Sequence, residues 1–482
     1  MDDASHVYAN KWMTLSTTGM GIFLATVDGS IVNVALPTLV HQLNTGFSVI
    51  QWVVLAYLLT VTTLMLGIGR LGDILGKRKL YAAGFIIFTS GSVLCGISPS
   101  VYWLIGFRVA QAVGSALIMA LGMAIVTEAF PPWERGKAIG ISGAIVSVGI
   151  AIGPSLGGVI LSFLSWRWIF LVNLPIGLIG TLMVFRYVHQ DDPKARQRFD
   201  FLGALLLFVS ILCLLLALTI GQQSGFVKAI VFVLLGAWLL TMAFFVLAEM
   251  KSPHPMIRID FFRNMQLSVN LINAFVTFIG IAGTIILLPF YLQEVLGYSS
   301  IIVGVLLCVI PVTLGITSPI AGIFSDRFGS DKISVLGLGF VFLGFLASTT
   351  LSAESSAFDY IIRILPIGIG MGFFQAPNNS SIMGAVPKEH LGIASGMISV
   401  SRTLGQTVGT AVLGAIWAGR TFHYTGVTLA EGATKAPAFA RVSALQDTFR
   451  VTVLLTVFCL VLSFWKLHRQ WLQSKRVATH GV

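Results

Sequence analysis

Two charged residues stand out because each lies alone in a long apolar stretch. Asp28 is the only Asp, Glu, Lys or Arg between Lys11 and Arg70. Arg108 is likewise the only such residue between Lys79 and Glu128. An ionisable group inside a membrane is costly and usually marks a proton or ion path. Burial disfavours a charged carboxylate while a nearby arginine favours it, so Asp28 could release and regain a proton. The alternative is a permanently hydrogen-bonded structural carboxylate.

The elements that carry these residues are predicted to be membrane-spanning helices. The chain is 56% hydrophobic and 10% charged, with a mean hydropathy of +0.90, whereas about 25% of the residues of a soluble domain are charged. Apolar runs of about 20 residues, long enough to cross a bilayer as a helix, recur along the chain. We therefore expect an all-α polytopic membrane protein with about fourteen spans.

The net charge of +11 is explained by membrane topology and indicates no nucleic-acid partner. With the N-terminus placed inside, most Lys and Arg fall in inner loops, such as the run from Lys77 to Lys79. This is the positive-inside pattern. It predicts a multi-pass protein of the cell (inner or plasma) membrane with both termini in the cytoplasm.

An internal repeat divides the chain. The segments around Pro37, Asp73 and Arg108 are echoed around Pro289, Asp326 and Arg363, at offsets of 252, 253 and 255 residues. The sequence therefore predicts two six-helix halves, 1–190 and 265–482, with two inserted helices and their cytoplasmic linkers in 191–264. Parallel halves with a substrate site between them are typical of secondary transporters. The position equivalent to Asp28 is Gly280, so only the N-terminal half carries the acid.

Several chemistries find no support in the residue pattern. The histidines show no metal-ligand spacing, and no nucleophile–base constellation or nucleotide-binding loop is present. We therefore expect no enzyme, no catalytic residues, no metal and no cofactor, and an ion gradient as the energy source. The cysteines lie in apolar runs without paired spacing, which predicts free thiols: Cys95, Cys213, Cys308 and Cys459.

The segment "GRLGDILGKRK" joins the second and third predicted spans through a short inner loop. A basic inner loop by itself only follows topology, but this pattern occurs again as "GIFSDRFGSDK". It resembles the signature loop of the major facilitator superfamily, in which charge pairs latch the outward-open state. The resemblance implies a gating latch at Gly69, Gly72, Asp73, Gly76, Lys77 and Arg78. The second copy keeps Asp326, Arg327 and Gly329 with fewer basic residues, so we expect a weaker latch there.

The fifth predicted span contains "GIAIGPSLGG". Its glycines share one helix face, which by itself could serve only close helix packing, and its proline interrupts the helical hydrogen bonds. The pattern is similar to the motif that marks proton-coupled exporters in this superfamily. The resemblance therefore implies export and assigns the motif to Gly149, Gly153, Pro154, Gly157 and Gly158.

Further stretches resemble the fourteen-span drug:proton antiporter branch of the superfamily, and the likeness covers nearly the whole chain. They are Asp28 with "SIVNVALP", "WRWIFLVNLPIG" and "APNNSSIMGAVP". "FRVAQAVGSA" is similar to a family motif whose arginine takes part in proton movement, although Ala112 replaces the usual glycine. This implies proton coupling through Asp28 and Arg108. Arg363 and Arg402 are possible counterparts that either contact substrate or gate, or else bind carbonyls at helix crossings.

Candidate substrate-cavity residues are polar or aromatic side chains in spans that line the family's central cavity. Sparse polar groups in an apolar wall suit amphipathic organic molecules, although many of these side chains could equally serve packing. The candidates are Asn33, Gln51, Trp52, Tyr57, Gln111, Asn273, Tyr291, Gln293, Arg363, Phe374, Gln375, Asn378, Asn379 and Arg402.

The sequence thus favours a proton-coupled exporter of amphipathic small molecules that works by alternating access. Its expected partners are a small-molecule substrate, protons and membrane lipid, and we expect it to act as a monomer. One alternative is a dedicated exporter of a single metabolite, lipid or siderophore. Another is a non-transporting receptor or intramembrane enzyme, in which Asp28 would be dispensable. The outer loop 419–447 is either a lid or a connector.

Overall fold

The computed structural model describes residues 10–131, 134–189, 200–224, 228–252, 262–386, 391–426 and 432–480. Every regular element in this part of the chain is helical, as predicted. The α-helices are α1 Lys11–Gln42, α2 Phe47–Ile50, α3 Trp52–Leu75, α4 Lys77–Gly96, α5 Val101–Ala129, α6 Arg135–Phe163, α7 Trp168–Leu171, α8 Asn173–Tyr187, α9 Phe201–Ser224, α10 Ala229–Lys251, α11 Met265–Phe290, α12 Ser300–Leu307, α13 Val309–Phe328, α14 Ser330–Ser348, α15 Ala357–Gly384, α16 Leu391–Thr425 and α17 Ala438–His480. A π-helical turn, Tyr291–Val295, follows α11, and a short 3₁₀ turn, Ala433–Lys435, precedes α17.

Thirteen stretches of helix among the described residues are long and apolar enough to cross a membrane. The short helices α2, α7 and α12 each join the helix that follows them in one such stretch. The predicted span near 391–418 corresponds to α16, which is helical but is not among these thirteen. The protein is therefore an all-α polytopic membrane protein.

The chain folds into two compact units. The first contains Met1–Met256 with Leu292–Cys308 and Ala430–Thr434, and the second contains Ile257–Tyr291, Val309–Leu429 and Lys435–Val482. The predicted boundaries at 190 and 264 and the roles assigned to 191–264 and 419–447 stay predictions.

The two inserted helices pack on each other and belong to the first unit. The helix α9 also contacts α3, where the indole Nε1 of Trp52 donates a hydrogen bond to Thr219 Oγ1 at 3.0 Å. Large apolar side chains of α10 are mostly exposed, among them Leu239, Leu240 and Phe244. In a membrane protein these side chains face lipid, because hydrocarbon chains are their natural surroundings.

Close packing between α4 and α5 positions the polar residues of the first unit. Gly91 lies against the backbone of Gln111, and a β-carbon on Gly91 would sit 2.7 Å from the Cα atom of Gln111. Gly114 is similarly tight, since a β-carbon there would overlap the backbone nitrogen of Phe88. Small residues at such crossings let two helix backbones approach closely. The crossing therefore holds Gln111 directly beside α4.

Candidate functional site: a buried carboxylate cluster in the first unit

The side chain of Asp28 is fully buried in the middle of α1 and accepts three hydrogen bonds. Its Oδ2 atom accepts from Arg108 Nη1 at 2.6 Å. Its Oδ1 atom accepts from Gln111 Nε2 at 2.8 Å and from Asn173 Nδ2 at 2.9 Å. Helices α1, α5 and α8 thus meet at one carboxylate. Hydrogen bonds to charged groups are stronger than neutral ones, so the cluster fixes this carboxylate in one orientation.

Arg108 is the counter-ion, and its side chain is also buried, with 1% of its surface exposed. Besides Asp28, it donates to Gln111 Oε1 at 2.7 Å and, through Nε, to the backbone carbonyl of Val53 at 3.0 Å. The guanidinium lies 4.1 Å from the ring centroid of Tyr57 and 5.9 Å from that of Phe170. A cation over an aromatic face is stabilised electrostatically. The arginine is therefore held by charge, hydrogen bonds and aromatic rings together.

Two further residues complete the cluster, Ser92 on α4 and Asn173 at the start of α8. The hydroxyl oxygen of Ser92 accepts from Gln111 Nε2 at 2.6 Å and from Asn173 Nδ2 at 3.2 Å. Both residues are buried, and our sequence reasoning missed both as site residues. The available signal was a lone asparagine in the apolar run "WRWIFLVNLPIG". A buried amide of this kind requires hydrogen-bond partners.

An aromatic ring from α3 and a thiol from α4 lie beside the cluster. The phenol of Tyr57 donates to Ser115 Oγ at 2.6 Å, and both residues are buried. Cys95 Sγ lies 3.8 Å from Gln111 Oε1. Its thiol is free, as the sequence predicted. Among the described residues, the cluster combines one acid and one permanent cation inside low-dielectric protein. Opposite charges attract each other strongly in such surroundings.

The motif GIAIGPSLGG places α6 tightly against α1. Hypothetical β-carbons on Gly149 and Gly153 would overlap Thr26 Oγ1 and Ser30 Oγ, respectively. A β-carbon on Gly157 would lie 2.9 Å from the Ile31 side chain. These positions flank Asp28 along α1. The motif therefore determines how closely α1, the helix that carries Asp28, packs against α6.

The other side of the motif faces the short helix α12, within the same unit. A β-carbon on Gly158 would overlap the Ser300 carbonyl oxygen, and one on Gly304 would overlap the Pro154 carbonyl oxygen. Pro154 lies inside α6. Because proline cannot donate a backbone hydrogen bond, it leaves a helical carbonyl without its usual donor. Helix α6 therefore packs closely against α1 on one side and α12 on the other.

Replacing Gly153 by alanine is expected to destabilise the first unit and to reduce transport. The new methyl group would overlap Ser30 and crowd the Ile31 backbone nitrogen, at 3.1 Å. Overpacking of this kind costs about 1–3 kcal/mol. Gly143 on the same helix is the matched control, since its added methyl group would meet no atom within 4 Å. Thermal unfolding and uptake by proteoliposomes would test the pair; equal behaviour of the two variants would contradict this packing role.

The predicted latch loop forms the end of α3 and the start of α4. Gly76 has a φ of 89°, a backbone conformation that favours glycine. Lys77 Nζ pairs with Glu128 Oε1 of α5 at 2.7 Å, and Arg78 donates to the backbone carbonyl of Phe185 on α8. Gly72 packs against Leu121. The surroundings of Gly69 and Asp73, two of the predicted latch residues, lie outside the described part of the structure.

The second copy of the motif joins α13 and α14 in the second unit. Asp326 and Arg327 are exposed and make no ion pair within the described residues, although Gly329 repeats the positive φ, at 93°. An ion pair forms nearby, at 2.8 Å, between Oδ1 of the partly buried Asp331 on α14 and Nζ of the buried Lys466 on α17. Lys466 also donates to Asn270 Oδ1 at 2.7 Å. The expected weakness of the second latch stays a prediction.

Most cavity candidates of the first unit have partners inside the protein. Tyr57 and Gln111 belong to the Asp28 cluster, and Trp52 is bound to α9 as described above. Asn33 Nδ2 donates to the carbonyl of Gly29 in its own helix, at 2.8 Å. Gln51 is buried and Gln293 is half-buried.

The second-unit candidates fall into two groups. Four have partners: Asn273 donates to Ser463, Tyr291 to the Ser352 carbonyl, Asn378 to the Asn270 carbonyl, and Arg363 pairs with Asp359 at 3.0 Å. Phe374 is buried. The others are half-buried and have no side-chain hydrogen bond in the described part of the chain: Gln375, Asn379 and Arg402. Since Arg363 pairs locally and is partly exposed, its surroundings differ from those of Arg108.

Comparisons with known proteins agree with this architecture. The chain is 36% identical over 415 residues to the riboflavin transporter RibZ of Clostridioides difficile, a match that covers 85% of this chain and 88% of that protein. It is 34% identical over 407 residues to the multidrug resistance protein Stp of Mycobacterium tuberculosis, covering 84% and 76%. A bacterial homologue of the lysosomal transporter Spinster, solved in an inward-facing, unoccupied conformation, superimposes with a TM-score of 0.67 at 17% identity, over 95% of this chain and 96% of that one. The family model described as Major Facilitator Superfamily matches residues 18–410. The chain therefore belongs to this superfamily of membrane transporters.

Proposed function

We propose that the protein is a proton-coupled exporter of amphipathic or lipophilic small molecules, with Asp28 as the proton-coupling carboxyl. The observation that carries this proposal is the fully buried Asp28 paired with Arg108 at 2.6 Å inside a membrane-spanning bundle. A buried ion pair is weak evidence for stability, because desolvation opposes the attraction between the charges. Intramembrane ionisable groups instead commonly serve ion or proton movement.

The proposed cycle uses the change of charge at Asp28. In the structure, three donors surround the carboxylate. When Asp28 takes up a proton, its attraction for Arg108 weakens, and α1 and α5 lose their strongest mutual contact. We propose that this change favours the conformation whose substrate site opens to the other side of the membrane. Proton uptake and release would then alternate with substrate binding.

A proton gradient is the proposed energy source, in place of any cofactor. One elementary charge moved through 100 mV gains roughly 2.3 kcal/mol. Because 1.4 kcal/mol corresponds to a tenfold ratio, one net charge could sustain a substrate gradient of about 40-fold. We place the protein in the plasma membrane with both termini in the cytoplasm and expect it to work as a monomer in contact with lipid.

The substrate range separates two candidate functions. Relatives named multidrug resistance or multidrug transporter proteins support a broad range. The match to a riboflavin transporter supports a dedicated metabolite transporter as the second candidate. Among the described residues the site offers one acid, which argues against preferential binding of dications. Lipophilic monocations, neutral compounds, anions and flavins are therefore the compounds to compare.

Reconstitution into liposomes that enclose a pH-sensitive dye would test the proposal. With an imposed proton gradient, substrates of an antiporter are expected to accelerate dissipation of that gradient, and the acceleration should depend on substrate concentration. Activity with several unrelated lipophilic compounds would support multidrug efflux, whereas activity with riboflavin alone would support the second candidate. Substrate movement that leaves the internal pH unchanged would refute proton coupling.

A further inference from the structure

Asn173 differs from the other members of the Asp28 cluster in one respect. Its Oδ1 atom is buried and has no hydrogen-bond partner, whereas no buried polar atom of the other described cluster residues is left unpaired. An unsatisfied buried carbonyl costs free energy, and each such atom in a folded protein calls for an explanation. The amide of Asn173 is therefore bound at its nitrogen and unused at its oxygen.

The nitrogen atoms of two amides bridge the same pair of oxygens. Gln111 Nε2 and Asn173 Nδ2 each donate to both Asp28 Oδ1 and Ser92 Oγ, over distances of 2.6 to 3.2 Å. The two hydrogens of each amide are thus used. The amide of Gln111 cannot turn without losing the bond from Arg108 to its oxygen. The Asn173 amide has no such restraint on its oxygen atom.

Protonation of Asp28 changes the hydrogen bonds that the cluster requires. The protonated carboxyl becomes a donor and needs an acceptor for its new O–H group. Gln111 Oε1 already accepts from Arg108, and Ser92 Oγ already accepts from two amides. Among the described cluster residues, Asn173 Oδ1 is the buried oxygen that has no hydrogen-bond partner. A half-turn of the Asn173 amide would bring this oxygen to the position now held by its nitrogen.

We propose that Asn173 is a positioning residue whose side-chain amide turns over when Asp28 gains or loses a proton. The amide donates to the carboxylate and, once turned, accepts from the carboxylic acid, while its nitrogen gives up the bond to Ser92 Oγ. This inference rests on the proposed function, since it presumes that Asp28 is protonated during the cycle. The other charged or titratable groups that face Asp28 are Arg108 from α5, Tyr57 from α3 and Cys95 from α4.

Infrared difference spectra after a pH jump would test the proposal on the intact protein. In the wild type, with heavy-nitrogen label in the asparagine side chains, a labelled amide band should shift together with the carbonyl band of protonated Asp28. The variant Asn173→Leu should lack that amide change. In liposomes it should exchange protons roughly tenfold more slowly, because the protonated acid loses its acceptor. Thr181→Val is the control, since Thr181 on the same helix only bonds the carbonyl of Gly177.

The pH profile separates a turning amide from a fixed donor. A turning amide supports both states, so Asn173→Leu should move the midpoint of proton-driven transport by less than about half a pH unit. A fixed donor supports only the carboxylate, and its loss should move the midpoint upward by about one pH unit. That upward shift, or an amide band that does not respond to pH in the wild type, overturns the proposal. If Asp28→Asn retains the carbonyl band and proton flux, the proposed function itself fails.

Discussion

Replacing Asp28 by asparagine is expected to reduce substrate-driven proton flux to the level of protein-free liposomes. The asparagine amide cannot take up or release a proton in the physiological range, yet its oxygen can still accept the bond from Arg108, as Asp28 Oδ2 does at 2.6 Å. Substrate counterflow without a proton gradient should persist at a measurable rate, because alternating access does not require the carboxyl to titrate. Parallel assays of flux and counterflow would therefore separate coupling from transport.

The controls address charge and folding. Asp28→Asn leaves Arg108 buried without its counter-ion, and breaking a buried pair commonly costs about 3–5 kcal/mol. The double variant Asp28→Asn/Arg108→Gln restores neutrality and keeps the test valid if the single variant folds poorly. Glu354→Gln removes an exposed acid outside this cluster and should leave both assays unchanged. Undiminished proton flux in a folded Asp28→Asn protein would show that coupling occurs elsewhere.

The pairing of Asp28 with Arg108 could be predicted because each is the lone charge in a long apolar run. Two isolated opposite charges in one membrane domain have little choice of partner. The glycine face of Gly149, Gly153 and Gly157 could also be read from its four-residue spacing. These features depend on local pattern, which a single sequence displays directly.

The rest of the cluster could not be predicted, because it depends on which helices become neighbours. Ser92 and Asn173 are ordinary polar residues in apolar runs, and only the crossings of α4, α5 and α8 make them partners of Asp28. The sequence likewise does not indicate that the indole of Trp52 binds Thr219 on an inserted helix. Hydrogen-bond partners distant in sequence carry no local signal.

The ion pair of Lys466 in the second unit could not be predicted from the sequence either. It lies in the apolar helix α17, far in sequence from its partner Asp331. The repeated motif contains Asp326 and Arg327, which are exposed, while the ion pair of Lys466 forms at Asp331, a few residues further along. The backbone turn at Gly76 recurs at Gly329. The described charges near the two turns pair with different helices, Lys77 with Glu128 of α5 and Asp331 with Lys466 of α17.

The Lys466 network joins four helices of the second unit. Lys466 Nζ contacts Asp331 of α14 and Asn270 of α11, at 2.8 and 2.7 Å. Asp331 also accepts from Ser381 of α15 at 2.6 Å and from Gln470 of α17 at 2.9 Å. Lys466 is 2% exposed. Removal of the lysine would leave a partly buried carboxylate whose charge no described side chain balances.

Lys466→Met is therefore expected to lower the free energy of unfolding by about 3–5 kcal/mol, the usual effect of breaking a buried ion pair. Unfolding in mixed micelles with a denaturing detergent would measure it. Lys332→Met, which removes an exposed lysine next to Asp331, should change stability by less than about 0.5 kcal/mol. The double variant Lys466→Met/Asp331→Asn should recover at least half of the loss, because no unpaired charge remains while the oxygen of the new amide can still accept from Ser381. A double variant as unstable as Lys466→Met would mean that packing of the lysine stem, and not its charge, holds these helices together.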